Sequence, residues 1–156
     1  MVYLSVHLKN IILDTKEAQF LRQFTGKEVV SSPSPFMNWL RPVLLKVEEG
    51  SLAFQHTIRK EMTNPFGTLH GGITAALIDD AIGATLIMYG EPVFHVTINL
   101  AIDYFAAAKE GDVIIAETHL IKKGRQIVNA QCDVWNHDRT KLIAKGYTNM
   151  LRTPQP

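Results

Sequence analysis

Residues Gly71 to Tyr89 read GGITAALIDDAIGATLIMY, and this stretch decides the fold. Ile73, Ala75, Ala76, Leu77, Ile78, Ala81, Ile82, Ala84, Leu86, Ile87 and Met88 leave almost no polar face. A helix of that kind has to be enclosed rather than laid on a surface. Gly90 is its stop signal. The flanking sequence supplies strands to enclose it. Ahead of the helix, Trp39 to Val47 and Ser51 to Arg59 flank Glu48-Glu49-Gly50 and read as a hairpin. After it, Val93 to Phe105 alternates Val96, Ile98, Leu100, Ile102 and Tyr104 against Thr97, Asn99 and Asp103. Asp112 to Lys122 and Gln126 to His137 flank Lys123-Gly124-Arg125, and Lys141 to Leu151 follows a turn from His137 to Thr140. Strands and helices do not alternate, so the class is α+β, with a mostly antiparallel sheet curled around one long central helix.

Toward the N-terminus, Asp14-Thr15-Lys16-Glu17 resembles a capping box with Asp14 as the N-cap. Ala18, Leu21 and Phe24 follow on one helical face, and Gly26 is a stop. Leu4, Leu8, Ile11 and Ile12 also have helical spacing. Ser31-Ser32-Pro33-Ser34-Pro35 reads as a linker, which divides the chain into an N-terminal helical extension, 1–30, and a domain, 31–156.

At 156 residues, 46% hydrophobic and 20% charged, the composition is that of one globular domain with a real core. A net charge of +1 gives no whole-chain bias toward nucleic acid or an anionic membrane. The single cysteine, Cys132, excludes an intrachain disulfide and fits a reducing cytoplasm and a core thiol. No run approaches the ~20 apolar residues that span a bilayer. His7, Lys9 and Asn10 break up the apolar N-terminus, so it does not read as a signal peptide. The expected location is cytoplasmic.

Chemistry concentrates in Thr63 to Asp80, TNPFGTLHGGITAALIDD. His70-Gly71-Gly72 opens the apolar helix, where backbone N–H groups lack partners and the helix dipole is positive. Such donors suit an oxyanion formed when a carbonyl is attacked. Asp79 and Asp80, adjacent on a helix, point about 100° apart. A carboxylate among apolar neighbours needs a pocket, a partner or an interface. Asn64 stands before Pro65, in a loop where an Asx turn is the ordinary outcome. No Gly-x-Ser-x-Gly elbow, phosphate-binding glycine loop or zinc-ligand spacing occurs, and His56, His95, His119 and His137 read as structural or surface residues.

The segment resembles the signature of hotdog-fold acyl-CoA thioesterases of the phenylacetate-pathway and thioesterase-superfamily type. In these, an Asn, a Gly and a His-Gly-Gly precede a helix carboxylate. The resemblance continues through Asn99 to Lys109, the turn Lys122 to Arg125 and the last strand, covering Trp39 to Leu151. It leaves the first 30 residues aside.

The resemblance implies that Asp79, nine residues past His70, activates water as general base or attacks directly as nucleophile. It implies further that the Gly71 amide binds the carbonyl oxygen with help from His70. Asn64 would hold the water and Thr97 would orient the carboxylate. Asp80 falls at a position that varies in the family and is expected to be structural. Lys122, Lys123 and Arg125, with Lys109 adding charge, suit the phosphates of coenzyme A. The substrate is then an acyl-CoA, and no cofactor or metal is expected. The site is implied to be split across a homodimer, alone or within a homotetramer. The alternatives are a hotdog hydratase or dehydratase acting on acyl thioesters, and a non-catalytic acyl-CoA-binding module.

Overall fold

The computed structural model describes residues 13–154. Leu4, Leu8, Ile11 and Ile12 lie outside that range. The elements are α1 (Lys16–Arg22), α2 (Pro35–Leu40), β1 (Val43–Glu48), β2 (Ser51–Thr57), a 3-10 turn (Lys60–Met62), α3 (Gly71–Ile87), β3 (Val93–Tyr104), β4 (Val113–Lys123), β5 (Ile127–Asn136) and β6 (Leu142–Pro154). The strands form one six-stranded sheet in the order β1-β2-β4-β5-β6-β3, with every neighbouring pair antiparallel. This is the expected α+β hotdog arrangement, a sheet wrapped on a long helix.

α3 buries Thr74, Leu77, Ile78, Ala81, Ile82, Thr85 and Leu86, a stripe with spacings of three and four. The stripe meets Ala116, Val128, Cys132, Val134 and Ala144 of the inner sheet face. Each Leu or Ile so enclosed contributes about 1.5–3 kcal/mol. Gly146 permits a close approach of helix to sheet, because a Cβ there would lie 2.7 Å from Ile78 Cγ2. The remaining apolar side of α3 is only partly covered: Ile73, Ala75, Ala76 and Ala84 are half-buried and Ile87 is exposed.

The N-terminal extension packs on the other half of the sheet. Leu13, Leu21, Phe24 and Val29 surround a second cluster of Ala18, Met37, Leu44, Leu52, Phe54, Ala81 and Met88. Residues 26–29 also run along the free side of β1, with Gly26 N donating to Leu44 O at 2.7 Å and Val29 N to Pro42 O at 2.7 Å. The opposite edge, β3, has no strand beside it among the described residues and exposes Phe94, Val96 and Ile98.

Four local expectations need correction. Trp39 is not in a strand but in α2, and β1 begins at Val43. The Ser/Pro run expected to be a linker starts that helix: Ser34 Oγ accepts from Met37 N at 3.1 Å and Pro35 occupies the first turn, where its fixed φ suits a helix. The cap of α1 is Thr15, whose Oγ1 accepts from Ala18 N at 3.0 Å, while Asp14 accepts from the Gln19 side chain at 2.7 Å. In β3 the apolar alternation is broken by a bulge between Thr97 and Asn99. Val96 and Ile98 therefore face outward, while Leu100 and Ile102 pack on the core.

His56 on β2 is 3% exposed, and neither ring nitrogen has a hydrogen-bond partner among the described residues. Burial, with the Arg59 charge adding, pushes its pKa down to about 4. The folded chain thus resists a proton that the unfolded chain accepts near pH 6.5, so stability is lost as pH falls from there toward 4. At pH 5 this one group costs about 2 kcal/mol relative to pH 7.5. Urea unfolding of wild type and His56→Leu at both pH values checks it, the expected outcome being a smaller acid loss in the variant by about that amount.

Candidate active site

Asp79 sits midway along α3, on the flank of the buried stripe that faces β3. Thr97 Oγ1 donates to Asp79 Oδ1 at 2.8 Å. The β3 bulge makes this contact possible. Uninterrupted alternation would put Thr97 and Leu100 on opposite faces; the extra residue lets both point inward. Thr97 is paired with Met150, which pairs in turn with Val128, so the acid lies beside an apolar row.

Asp80 occupies a different face, as the helical rotation requires. Ser34 Oγ donates to Asp80 Oδ1 at 3.1 Å, tying α2 to α3. Its other oxygen, Oδ2, is buried with no partner among the described residues. Burial raises the Asp80 pKa above the ordinary aspartate value, the Ser34 bond opposes this and the Asp79 charge adds to it.

The first turn of α3 is held by side chains. His70 is the N-cap, its Nδ1 accepting from Gly72 N at 2.9 Å, which leaves Nε2 as the ring's donor. The Gly71 N–H has no partner among the described residues. The Gly71 carbonyl accepts from the Tyr104 hydroxyl at 2.8 Å. Asn64 closes its own loop, as an Asx turn does: Oδ1 accepts from Phe66 N at 2.9 Å and Thr68 N at 3.3 Å, and Nδ2 donates to Thr68 Oγ1 at 2.8 Å. One Nδ2 hydrogen is left over for another acceptor.

The chain therefore brings Asp79 to Thr97 and, separately, sets His70 at the start of α3, while Asn64 is bonded within its own loop. It does not bring the two groups together. Gly71 and Asp79 stand on one rigid helix eight residues apart, about 12 Å along its axis at 1.5 Å per residue. Two clefts, of about 530 Å³ beside α1 and about 470 Å³ beside the β5–β6 turn, are lined by neither residue.

In the basic turn, Lys122 and Arg125 are exposed, whereas Lys123 Nζ is 2.5 Å from Glu91 Oε1 and lies over the Tyr89 ring. Arg152 reaches the same Glu91 at 2.8 Å, so Glu91 already balances two cations there. Cys132 is fully buried, and burial pushes its thiol pKa up. Among the described residues, no group of three His, Cys, Asp or Glu side chains could hold a metal ion.

A family model described as the thioesterase superfamily matches residues 66–143. Human acyl-coenzyme A thioesterase 13 is 30% identical over 124 residues, which are 77% of this chain and 89% of that protein. The chain belongs to the thioesterase superfamily. The crystal structure of mouse thioesterase superfamily member 2 matches with a TM-score of 0.75 at 28% identity, covering 88% of this chain and 98% of that one. The PaaI protein from the phenylacetic acid degradation operon of E. coli, at 20% identity, TM-score 0.71 and coverage of 79% and 89%, shares the fold. As a member of the thioesterase superfamily, the chain is a thioester hydrolase. The matched range includes His70, Gly71, Asp79, Thr97 and the basic turn, and begins just after Asn64.

Two contacts escaped the sequence reading. Ser34 was hidden in an expected linker, and Tyr104 looked like one more alternating strand residue. The sequence signal for Tyr104 was a tyrosine placed where the long strand runs out.

The Thr97–Asp79 bond is tested by Thr97→Val, which keeps the shape and removes the hydroxyl. Steady-state assay should show kcat about 3- to 10-fold lower, the worth of one hydrogen bond, with the melting temperature lowered by no more than a few degrees.

Proposed function

We propose that this thioesterase hydrolyses acyl-CoA to free acid and CoA at sites composed from two copies of the chain. In each, Asp79 and Thr97 of one copy face Asn64, His70 and Gly71 of the other. The observation carrying this reading is the fixed separation of Asp79 from the Gly71 amide along α3. A thioester carbonyl bound by that amide is out of reach of the same chain's Asp79. The free edge of β3 supports it further. Antiparallel pairing of β3 with its own copy about a two-fold axis runs the two strands in opposite directions, so the Tyr104 end of each lies toward the Val93 end of the other. It also pairs the backbone groups of a lone edge and sets the outward-facing Phe94, Val96 and Ile98 beside side chains of the second strand.

In this arrangement Asp79 takes a proton from water as the water oxygen attacks the carbonyl carbon. The Gly71 N–H donates to the resulting oxyanion, and the donor Nε2 of His70 stands beside it. The C–S bond then breaks, and the proton held by Asp79 passes to sulfur, giving free acid and CoA thiol. Human acyl-coenzyme A thioesterase 13 bears the name of this activity. Lys122 and Arg125 are free to meet CoA phosphates, while Lys123, already paired with Glu91, contributes less. The chemistry draws on no cofactor. No described helix is long and apolar enough to cross a membrane. The lone thiol, Cys132, is what supports a cytoplasmic setting. Residues 1–30 form an extension to a catalytic domain spanning 31–156.

Asp79→Ala is expected to lower turnover of acyl-CoA by about 100-fold or more, the usual cost of a general base. Composition from two chains has its own test. Gly71→Pro deletes the N–H at a position where a helix tolerates proline. Mixing this variant with Asp79→Ala and allowing exchange should restore roughly a quarter of wild-type activity, since half the dimers are mixed and each has one intact site. No recovery on confirmed exchange counts against the shared site. Lys122→Ala with Arg125→Ala should raise KM for acyl-CoA about fivefold and leave KM for acyl-pantetheine, which lacks the nucleotide phosphates, unchanged.

A further inference from the structure

We propose that Tyr104 is a positioning residue for the oxyanion donor, fixing the first turn of α3 so that the Gly71 N–H is held toward the substrate carbonyl. The inference rests on the reading of Gly71 as that donor. Gly71 and Gly72 are the first two residues of the helix, where the backbone is least constrained, and glycine adds the widest conformational freedom of any residue. Their shared peptide group is nonetheless gripped at both polar ends. His70 Nδ1 accepts its N–H at 2.9 Å, and the Tyr104 hydroxyl donates to its C=O at 2.8 Å. With that plane held, the preceding peptide, whose N–H belongs to Gly71, is the one left open to a ligand.

Packing within the chain does not explain the tyrosine. Tyr104 is 54% exposed there, at the last residue of β3. Its hydroxyl also lies 3.4 Å from where a Gly71 Cβ would stand, so the ring covers the side of the glycine that a side chain would fill. β3 thus holds both halves of the chemistry. Thr97 near its start fixes the acid, and Tyr104 at its end fixes the amide.

The test is Tyr104→Phe, which keeps the ring and removes the hydroxyl. The expected result is a kcat about fivefold lower for acyl-CoA, the value of one hydrogen bond. KM, the oligomeric state and the affinity for an acyl-CoA thioether lacking the carbonyl oxygen should all stay at wild-type values, and the melting temperature should fall by no more than the few degrees that one hydrogen bond is worth. Wild-type kcat overturns the inference. A fall in kcat that comes with a melting temperature lowered by more than that, a weakened oligomer or weaker thioether binding also overturns it, since each marks a structural role. Asp79→Ala in the same assay separates the two levels. Full turnover there sinks the site reading itself, whereas lost turnover with an unaffected Tyr104→Phe sinks this inference alone.

Discussion

The separation of Asp79 from the Gly71 amide is set by the rise of an α-helix, and the rest of the molecule follows from it. Eight residues of α3 keep them about 12 Å apart. The helix cannot bend to close that gap, because its Leu77, Ile78 and Ile82 are locked into the sheet and Gly146 lets Ile78 approach the backbone directly. A thioester carbonyl carbon has to meet water on one side while its oxygen meets a donor on another, within a few ångströms. The chain supplies each half with its own supports and leaves the gap between them to be closed by symmetry.

β3 is the element on which both supports depend. Its bulge turns Thr97 inward to Asp79 without turning Leu100 and Ile102 out of the core. Its last residue reaches the start of α3. Its free edge is the sheet's natural place for a second copy, whereas residues 26–29 cover the edge of β1 at the other end. The half-covered side of α3 fits the same picture, since an apolar helix face left in water is costly unless something covers it.

Much of this was legible in the residues. The composition of Gly71 to Ile87 called for a sheet wrapped on a helix, and the strand runs on either side supplied it. Asp79 and Asp80 stood out together as carboxylates among apolar neighbours, and only the resemblance told them apart. The pairing of Thr97 with Asp79 could be reached only through family resemblance, because a β-bulge leaves no mark in an alternation pattern and Thr97 by itself looked like an ordinary strand former. The same bulge hid the outward turn of Val96 and Ile98. The sequence is ambiguous at Trp39 because the serines and prolines before it serve equally as a linker or as an N-cap and first turn, and only packing of Met37 and Leu40 decides between them. The shift of the α1 cap from Asp14 to Thr15 is a competition between two good caps one residue apart. The tyrosine clamp on Gly71 joins strand and helix ends that are far apart in sequence, so spacing carried no trace of it.

The most direct measurement is a crystal structure of the protein with an unreactive acyl-CoA analogue. It should place the atom standing for the carbonyl oxygen about 3 Å from the Gly71 nitrogen of one subunit, with the Asp79 carboxyl of another subunit facing the adjacent carbon. An analogue seated with no Asp79 from a neighbouring chain near its carbonyl position would contradict the account.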